Sequence, residues 1–199
     1  MALIIHGSSR SRTMRVLWMA AEVGVEFEHD PVAFDDPRLK SGAFLQLNPA
    51  GAIPTIEDDG LALSESLAIN LYLAKRYALG SLYPKALKDE AQVWRWCLWA
   101  QGQLEPWVMR DALLADLRAA MTGQVGAMIA SALETLNRAL VDRDWLVGET
   151  FTVADLNVAA VLSPSRAEHL DLEPYPNAAD WLARCYARPA AQATRARFG

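Results

Sequence analysis

Cysteine is scarce in this chain: its 199 residues include two, Cys97 and Cys185. They form no Cys-x-x-Cys pair, which argues against a disulfide framework or a zinc site. Histidine is nearly as rare, with His6, His29 and His169 scattered along the sequence. No His/Asp/Glu group has metal-ligand spacing and no Gly-rich phosphate loop is present, so no metal is expected. Internal repeats and low-complexity tracts are also absent. No apolar run approaches the ~18 residues of a membrane span, so no membrane partner is expected. Basic excess is missing too. The net charge of −5 is the wrong sign for a nucleic-acid surface. The opening residues, Met1 to His6, lack a basic n-region and are too short a run for a signal peptide. Together with the isolated cysteines, this favours a reducing cytoplasm.

What is present is an ordinary globular balance, 52% hydrophobic and 22% charged, enough for one large or two small domains. Ala2 to Ile5 is a short apolar run before a Gly/Ser loop and reads as a buried strand. Thr13 to Val23 reads as a helix with Gly24 just past its end. Phe27 to Ala33 can form a second strand. Ile53 to Ile56 and Leu61 to Leu63 flank Glu57-Asp58-Asp59-Gly60, a hairpin turn signal. Leu67, Ala68, Leu71 and Ala74 give one apolar helix face that runs to about Leu79. The order strand, helix, strand, hairpin, helix is thioredoxin-like, because a parallel first pair needs a crossover helix.

Gly80 to Lys88 carries Gly, Ser and Pro and reads as a linker. The expected division is residues 1–79, linker 80–88, and an all-helical domain at 89–199. Glu90 to about Arg110 is one long periodic segment, and Gln124 to Val141 is another helix. Thr152-Val153-Ala154-Asp155 is a capping-box start with Phe151 as a possible staple, and losing it should cost about 1 kcal/mol of stability. Asn177 can cap the helix that carries Trp181, and Pro189 ends it.

The most informative stretch is Asn48-Pro49-Ala50-Gly51-Ala52-Ile53-Pro54, followed by Ser64-Glu65-Ser66. The Ile53-Pro54 step suits a cis peptide bond, which costs only roughly 0.5–1 kcal/mol before proline. Such a bond would leave the backbone N–H and C=O of Ile53 free at a strand end to pair with an extended peptide. Ser64-Glu65-Ser66 then opens a helix, placing unpaired N–H donors, a hydroxyl and a carboxylate at its positive end. That combination suits a small zwitterionic peptide. The alternative reading of Glu65 and Ser66 is simple helix capping with an acidic first turn.

These residues, with Ser8-Ser9-Arg10-Ser11-Arg12, Arg15-Val16-Leu17-Trp18, Phe44-Leu45-Gln46-Leu47-Asn48-Pro49-Ala50-Gly51, Ala68-Ile69, Tyr72-Leu73 and Gly148-Glu149-Thr150-Phe151-Thr152-Val153-Ala154-Asp155, resemble a cytosolic-type, serine-type glutathione S-transferase. The resemblance runs along the whole chain and rests on order and spacing rather than on any one motif. It implies a thioredoxin-like N-terminal domain and an all-helical C-terminal domain. It also implies a homodimer pairing through the helices from Glu65 and Glu90, glutathione as co-substrate, a small hydrophobic electrophile as partner, and a role in detoxification.

The same resemblance assigns roles residue by residue. Ser66 would meet the γ-glutamyl carboxylate of glutathione and Glu65 its ammonium, with the Ile53 backbone, turned by Pro54, pairing with the peptide. In serine-type members the catalytic hydroxyl precedes the helix Arg by four positions, and counting from Arg12 gives Ser8. Ser9, Arg10 and Ser11 are rivals for activating the thiol, and capping alone could explain the serines. Many relatives carry Lys where this chain has Ala52. Lys40 is the nearest basic residue able to hold the glycine carboxylate, unless it is only an exposed loop lysine. Trp96, Trp99 and Gln103 form a stripe distinct from Trp94, Cys97 and Leu104, so this helix should pack on two sides. Gln103, Trp107 and Arg110 are the candidates for the electrophile pocket. Isomerisation, dehalogenation or peroxide reduction at the same site are alternatives, as is a non-catalytic glutathione- or ligand-binding protein.

Overall fold

The computed structural model describes residues 2–113 and 118–199, with side chains at all of these except 110–113 and 118–122. The chain divides into two compact units, Met1–Tyr83 with Arg188–Gly199, and Pro84–Ala187.

In the first unit, strand β1 (Leu3–His6) pairs parallel with β2 (Phe27–Asp30) through the crossover helix α1 (Thr13–Val23). β1 also pairs antiparallel with β3 (Thr55–Asp58), which turns back as β4 (Leu61–Ser64), giving the order β2-β1-β3-β4. Helix α3 (Ser66–Tyr77) comes directly after β4. Leu3 and Ile5 alternate inward from β1 into a core with Val16, Leu17, Met19, Ile56, Ile69 and Leu73. Gly24 ends α1 in the left-handed region at φ 67°, its N–H bonded back to Ala20 and Ala21, as the sequence suggested.

β2 stops at Asp30, short of the expected Ala33, because Pro31 has no N–H to donate to the ladder. Between β2 and β3 lie a 3₁₀ turn (Pro37–Lys40) and a short helix α2 (Gly42–Leu47), neither of which the sequence pattern announced. Their caps are visible in hindsight: the Asp36 carboxylate accepts from the Arg38 N–H and the Ser41 hydroxyl from the Phe44 N–H. Val32, Leu39 and Phe44 form a second apolar cluster, against which Leu47 and Ile53 pack.

The second unit contains α4 (Leu87–Trp99), a π-helical turn (Ala100–Leu104), α5 (Glu105–Leu113), α6 (Arg118–Ala139), α7 (Val153–Leu162), the short α8 (Pro164–Ala167) and α9 (Pro176–Tyr186). Every residue of α7 is buried; it is apolar apart from Asp155 and Asn157, whose side chains are hydrogen-bonded inside the unit. The buried side of the segment from α4 into the π turn carries Val93, Trp96, Cys97, Ala100 and Leu104. Trp94 does not share the Cys97 side and stands 43% exposed.

Two expectations shift here. Asn177 does not cap α9. Instead Asn137, from α6, accepts from the Asn177 and Ala178 N–H groups through its side-chain oxygen, while Pro176 occupies the first turn. Pro189 does not merely end α9; it opens a further helix, α10 (Pro189–Phe198). That helix lies in the first compact unit, not in Pro84–Ala187. The Arg188 guanidinium grips the Glu22 carboxylate of α1 with two hydrogen bonds, 2.8 and 2.7 Å, and Trp18 Nε1 donates to the same carboxylate. Among the described residues, no helix is long and apolar enough to cross a membrane.

Candidate active site at one end of the sheet

The register of the sheet gathers the separate motifs. His6 stands opposite Thr55, and Thr55 opposite Ser64. The residues just beyond or just before these, Gly7-Ser8, Ile53-Pro54 and Glu65-Ser66, therefore emerge at one end of the sheet.

The Ile53-Pro54 bond is cis. The Ile53 side chain packs against the Val32, Leu39 and Phe44 cluster, while its backbone N–H and C=O make no hydrogen bond among the described residues. Asn48 closes the preceding loop, its amide donating to Ala52 O at 2.9 Å and to Thr55 Oγ1 at 3.1 Å. Lys40 donates from Nζ to the carbonyls of Ala50 and Gly51, at 3.1 and 3.0 Å. It is thus neither a free loop lysine nor fully spent, since an ammonium has three donors.

The start of α3 is unusual. Glu65 sits at φ 70°, ψ 106°, a conformation that disfavours any residue with a Cβ. Its side chain is exposed and gives no capping bond to the helix. Ser66 is buried, 4% exposed, and its Oγ accepts from Arg15 Nη1 at 3.3 Å. Arg15 is itself buried on α1, and Asn70 Nδ2 donates to its carbonyl oxygen. Sequence patterns gave Arg15 and Asn70 no role. The available signal was a cation placed among the apolar residues of an otherwise buried helix face.

At the start of α1 the backbone is crowded. Gly7, at φ 136°, would bring a Cβ to 2.1 Å from Thr13 Oγ1 and 3.0 Å from Ile53 Cβ, so only glycine fits. The Ser8 N–H donates to Val32 O at 2.7 Å. The Ser8 hydroxyl oxygen accepts from the Arg10 N–H at 3.3 Å, and its hydrogen meets no acceptor among the described residues. Ser11 differs: its hydroxyl donates to Ser8 O at 2.7 Å and accepts from the Thr13 N–H at 3.1 Å. Arg10 is exposed. Arg12 takes the N-cap position of α1 without a side-chain capping bond, and the first arginine inside the helix is Arg15. Four residues before Arg15 lies Ser11, whereas four before Arg12 lies Ser8. The first turns of α1 and α3 hold no acidic residue, though Glu65 stands at the N-cap of α3; the α1 start has no such carboxylate in its own sequence.

Neither cysteine is placed as a nucleophile. Both are free and buried, and burial pushes the Cys97 thiol up to about 11 despite the hydrogen bond from Asn157. Among the described residues no group of three or more His, Cys, Asp or Glu could hold a metal. Of the pocket candidates, Gln103 is exposed and Trp107 half-buried; the Arg110 side chain lies outside the described residues. Their sequence spacing of i, i+4 and i+7 shares one face only on an unbroken α-helix. The π turn at Ala100–Leu104 interrupts it and rotates the faces of the helix beyond it.

Comparison with known proteins bears on what this end of the sheet does. Residues 4–75 match the family "Glutathione S-transferase, N-terminal domain", and residues 112–189 match "Glutathione S-transferase, C-terminal domain". The chain is 32% identical to glutathione S-transferase D7 of Anopheles gambiae, over 85% of this chain and 79% of that one. It is also 32% identical to glutathione S-transferase PARB of Nicotiana tabacum, over 96% and 95%. Among solved structures, a glutathione S-transferase I bound with lactoylglutathione superposes with a TM-score of 0.84 at 25% identity, covering 98% of this chain and 99% of that one.

Proposed function

The chain belongs to the glutathione S-transferase family, and we propose that it joins glutathione to small hydrophobic electrophiles through a thiolate held at the start of α1. One observation carries this reading: the unpaired Ile53 backbone, the uncapped start of α3 at Glu65-Ser66 and the unspent Ser8 hydroxyl all lie at one end of the sheet. The peptide of glutathione pairs with the Ile53 N–H and C=O in extended form. Its γ-glutamyl carboxylate sits on Ser66 and the first N–H groups of α3, with the Arg15 cation behind the hydroxyl. Its ammonium lies beside Glu65. The remaining N–H of Lys40 takes the glycine carboxylate, which Ala52 cannot hold.

The sulfur then meets the positive end of α1. A free thiol titrates at roughly 8.5, and lowering that by about two units needs roughly 2.7 kcal/mol of selective thiolate stabilisation. A hydrogen bond to a charged group supplies roughly 1.5–3 kcal/mol, and the helix end adds to it. Ser8 has a hydroxyl hydrogen to give, and so does Ser9, whose hydroxyl also makes no hydrogen bond among the described residues; the four-residue spacing from Arg12 favours Ser8. Ser11 is a second reading, favoured by its four-residue spacing from Arg15; it would have to release Ser8 O to act. The thiolate so formed attacks the electrophile, with Gln103, Trp107 and Arg110 as pocket candidates. Isomerisation, dehalogenation and peroxide reduction would use the same thiolate, and a non-catalytic binder would lack it.

A homodimer is part of the proposal. Leu87, Trp94 and Leu98 stand at i, i+7 and i+11 on α4, with Leu87 and Leu98 71% and 73% exposed, an apolar stripe suited to a second copy. The cytoplasm suits both free thiols. Calorimetry with millimolar glutathione, followed by a conjugation assay over a panel of electrophiles, tests the reading. Binding with turnover supports it, binding without turnover moves the protein to the carrier class, and no binding by the wild type refutes it.

A further inference from the structure

The Gly7 carbonyl has lost its place in the sheet. Gly7 N–H donates to Asp30 O at 2.8 Å, which continues the parallel β1–β2 ladder. The next rung should carry the Val32 N–H to Gly7 O. Instead, beyond Pro31 the chain curls and the Val32 N–H turns back to Asp30 O at 2.8 Å. Gly7 is buried, and an unpaired buried carbonyl is costly. His29, on β2, replaces the missing rung: its Nε2 lies 2.8 Å from Gly7 O. A carbonyl only accepts, so Nε2–H is the donor. The Gly7–Ser8 peptide is thereby pinned on both sides, its oxygen by His29 and its N–H by Val32 O. Without the first bond, that peptide, hinged on a glycine at φ 136°, is held on its N–H side alone.

The imidazole is itself held. Phe198, in the last turn of α10, meets it edge to face at 5.3 Å and lies beside Phe27 at 6.4 Å. The helix carrying Phe198 is fastened to α1 by the Arg188–Glu22 fork. We propose that His29, steadied by Phe198, is a positioning residue for the thiol site: it orients the Gly7–Ser8 peptide and so aims the hydroxyls that face the glutathione sulfur. This rests on the reading of that loop as the thiolate-stabilising element.

Three variants test it: His29→Leu removes the donor, His29→Gln keeps an N–H at about the same reach, and Phe198→Leu loosens the ring. Amide exchange is measured first, on the protein without glutathione. His29→Leu should speed exchange of the Ser8 amide about tenfold or more while amides of α6 keep their wild-type rates, and His29→Gln should restore it. Next, the pH profile of conjugation should show the bound-thiol titration of His29→Leu moved up by about half to one unit. Its kcat near neutral pH should fall about fivefold to tenfold, with KM for glutathione within twofold of wild type. Phe198→Leu should move both readouts in the same direction by less. Unchanged Ser8 exchange and an unchanged pH profile in a folded His29→Leu protein would overturn the proposal, as would changes that His29→Gln fails to reverse. Faster Ser8 exchange in a protein whose wild type neither binds glutathione nor shows a thiolate titration would leave the positioning intact and strike down the functional reading instead.

Discussion

Two helices of this protein begin in opposite ways. At the start of α7 the Asp155 carboxylate is fully buried and accepts four hydrogen bonds: from the Leu146 N–H, Trp181 Nε1, the Thr152 N–H and the Thr152 hydroxyl, at 2.8 to 3.1 Å. The Thr152 side chain in turn accepts from the Ala154 N–H and from the Asp155 N–H, the latter completing a capping box. Burial pushes the Asp155 carboxyl above the usual carboxylate range, and the four donors pull it back. At the start of α3 the arrangement is reversed. Glu65 is held in a disfavoured conformation, points its carboxylate to solvent and caps nothing. The sequences look alike, a hydroxyl or carboxylate before an apolar run. One caps its own helix and the other gives its helix no side-chain capping bond. Backbone strain of the kind held at Glu65 clusters at ligand and active sites.

Four experiments break or sharpen that contrast. The largest effect belongs to α7. Asp155→Ala leaves buried donors without an acceptor and should cost about 3–5 kcal/mol in a denaturant titration, well above the ~1 kcal/mol of an ordinary cap. Glutathione affinity of the folded protein should be unchanged; a loss near 1 kcal/mol would mean that the extra bonds from Leu146 and Trp181 contribute little.

The start of α3 should respond more in binding than in stability. Glu65→Ala combined with Ser66→Ala should weaken glutathione binding about a hundredfold by calorimetry, roughly 2.7 kcal/mol, with stability falling by about 1–2 kcal/mol from the lost Arg15–Ser66 bond. Glu65→Gly should raise the unfolding free energy, and with it the denaturant midpoint, by about 1 kcal/mol of stability, because glycine tolerates the positive φ. A loss beyond that in the double variant, or any loss in Glu65→Gly, would make Glu65-Ser66 a structural cap after all.

The third experiment concerns α1, whose N-cap residue, like that of α3, gives no side-chain capping bond. Ser8→Ala should raise the bound thiol pKa by about one to two units. Conjugation should drop about tenfold to a hundredfold near neutral pH and recover partly as pH rises, with glutathione affinity little changed. Ser11→Ala is measured beside it. If Ser11→Ala shifts the thiolate absorbance titration and Ser8→Ala does not, the catalytic hydroxyl is the one spaced from Arg15.

The smallest effect sits at the far end of α3, where polar groups are paired again. The buried Asp58 carboxylate accepts from the Tyr72 and Tyr77 hydroxyls and pairs with Arg76. Burial first, and the Asp58 hydrogen bond second, raise both phenols above their ordinary value. A raised folded-state pKa favours the protonated form, so this contribution is present below about pH 10 and is lost as pH rises beyond it. The melting temperature should fall slightly in that alkaline range, and the fall should shrink in a Tyr72→Phe, Tyr77→Phe variant. An identical alkaline profile would remove the cluster from the stability of α3.

Some of this was legible before any coordinates because it is local. Gly24 after a periodic run, proline after Ile53, Thr152 three residues before Asp155, and Glu65-Ser66 ahead of an apolar face all act within one helical turn of themselves. The failures share the opposite property. Asn177 looked like a cap, yet the cap of α9 is Asn137, 40 residues away. Glu90 to Arg110 looked unbroken, yet a π turn divides it, and no residue type announces that insertion. Arg15 carried no assignment because its partner Ser66 is 51 residues distant.

The sequence by itself determined which residues can turn, cap and bury: the strand order through its crossover helix, the open backbone at Ile53, and the family to which the motifs jointly point. The tertiary structure decided which of those possibilities are used. Register alone brings Gly7, Pro54 and Glu65 to one end of the sheet, the loss of one ladder bond leaves Gly7 O to His29, and the Arg188–Glu22 fork returns the last helix to the first unit. Hydrogen bonds between residues far apart in the chain form only after the loops between them have closed, and which donor then meets which acceptor depends on the packing of whole elements.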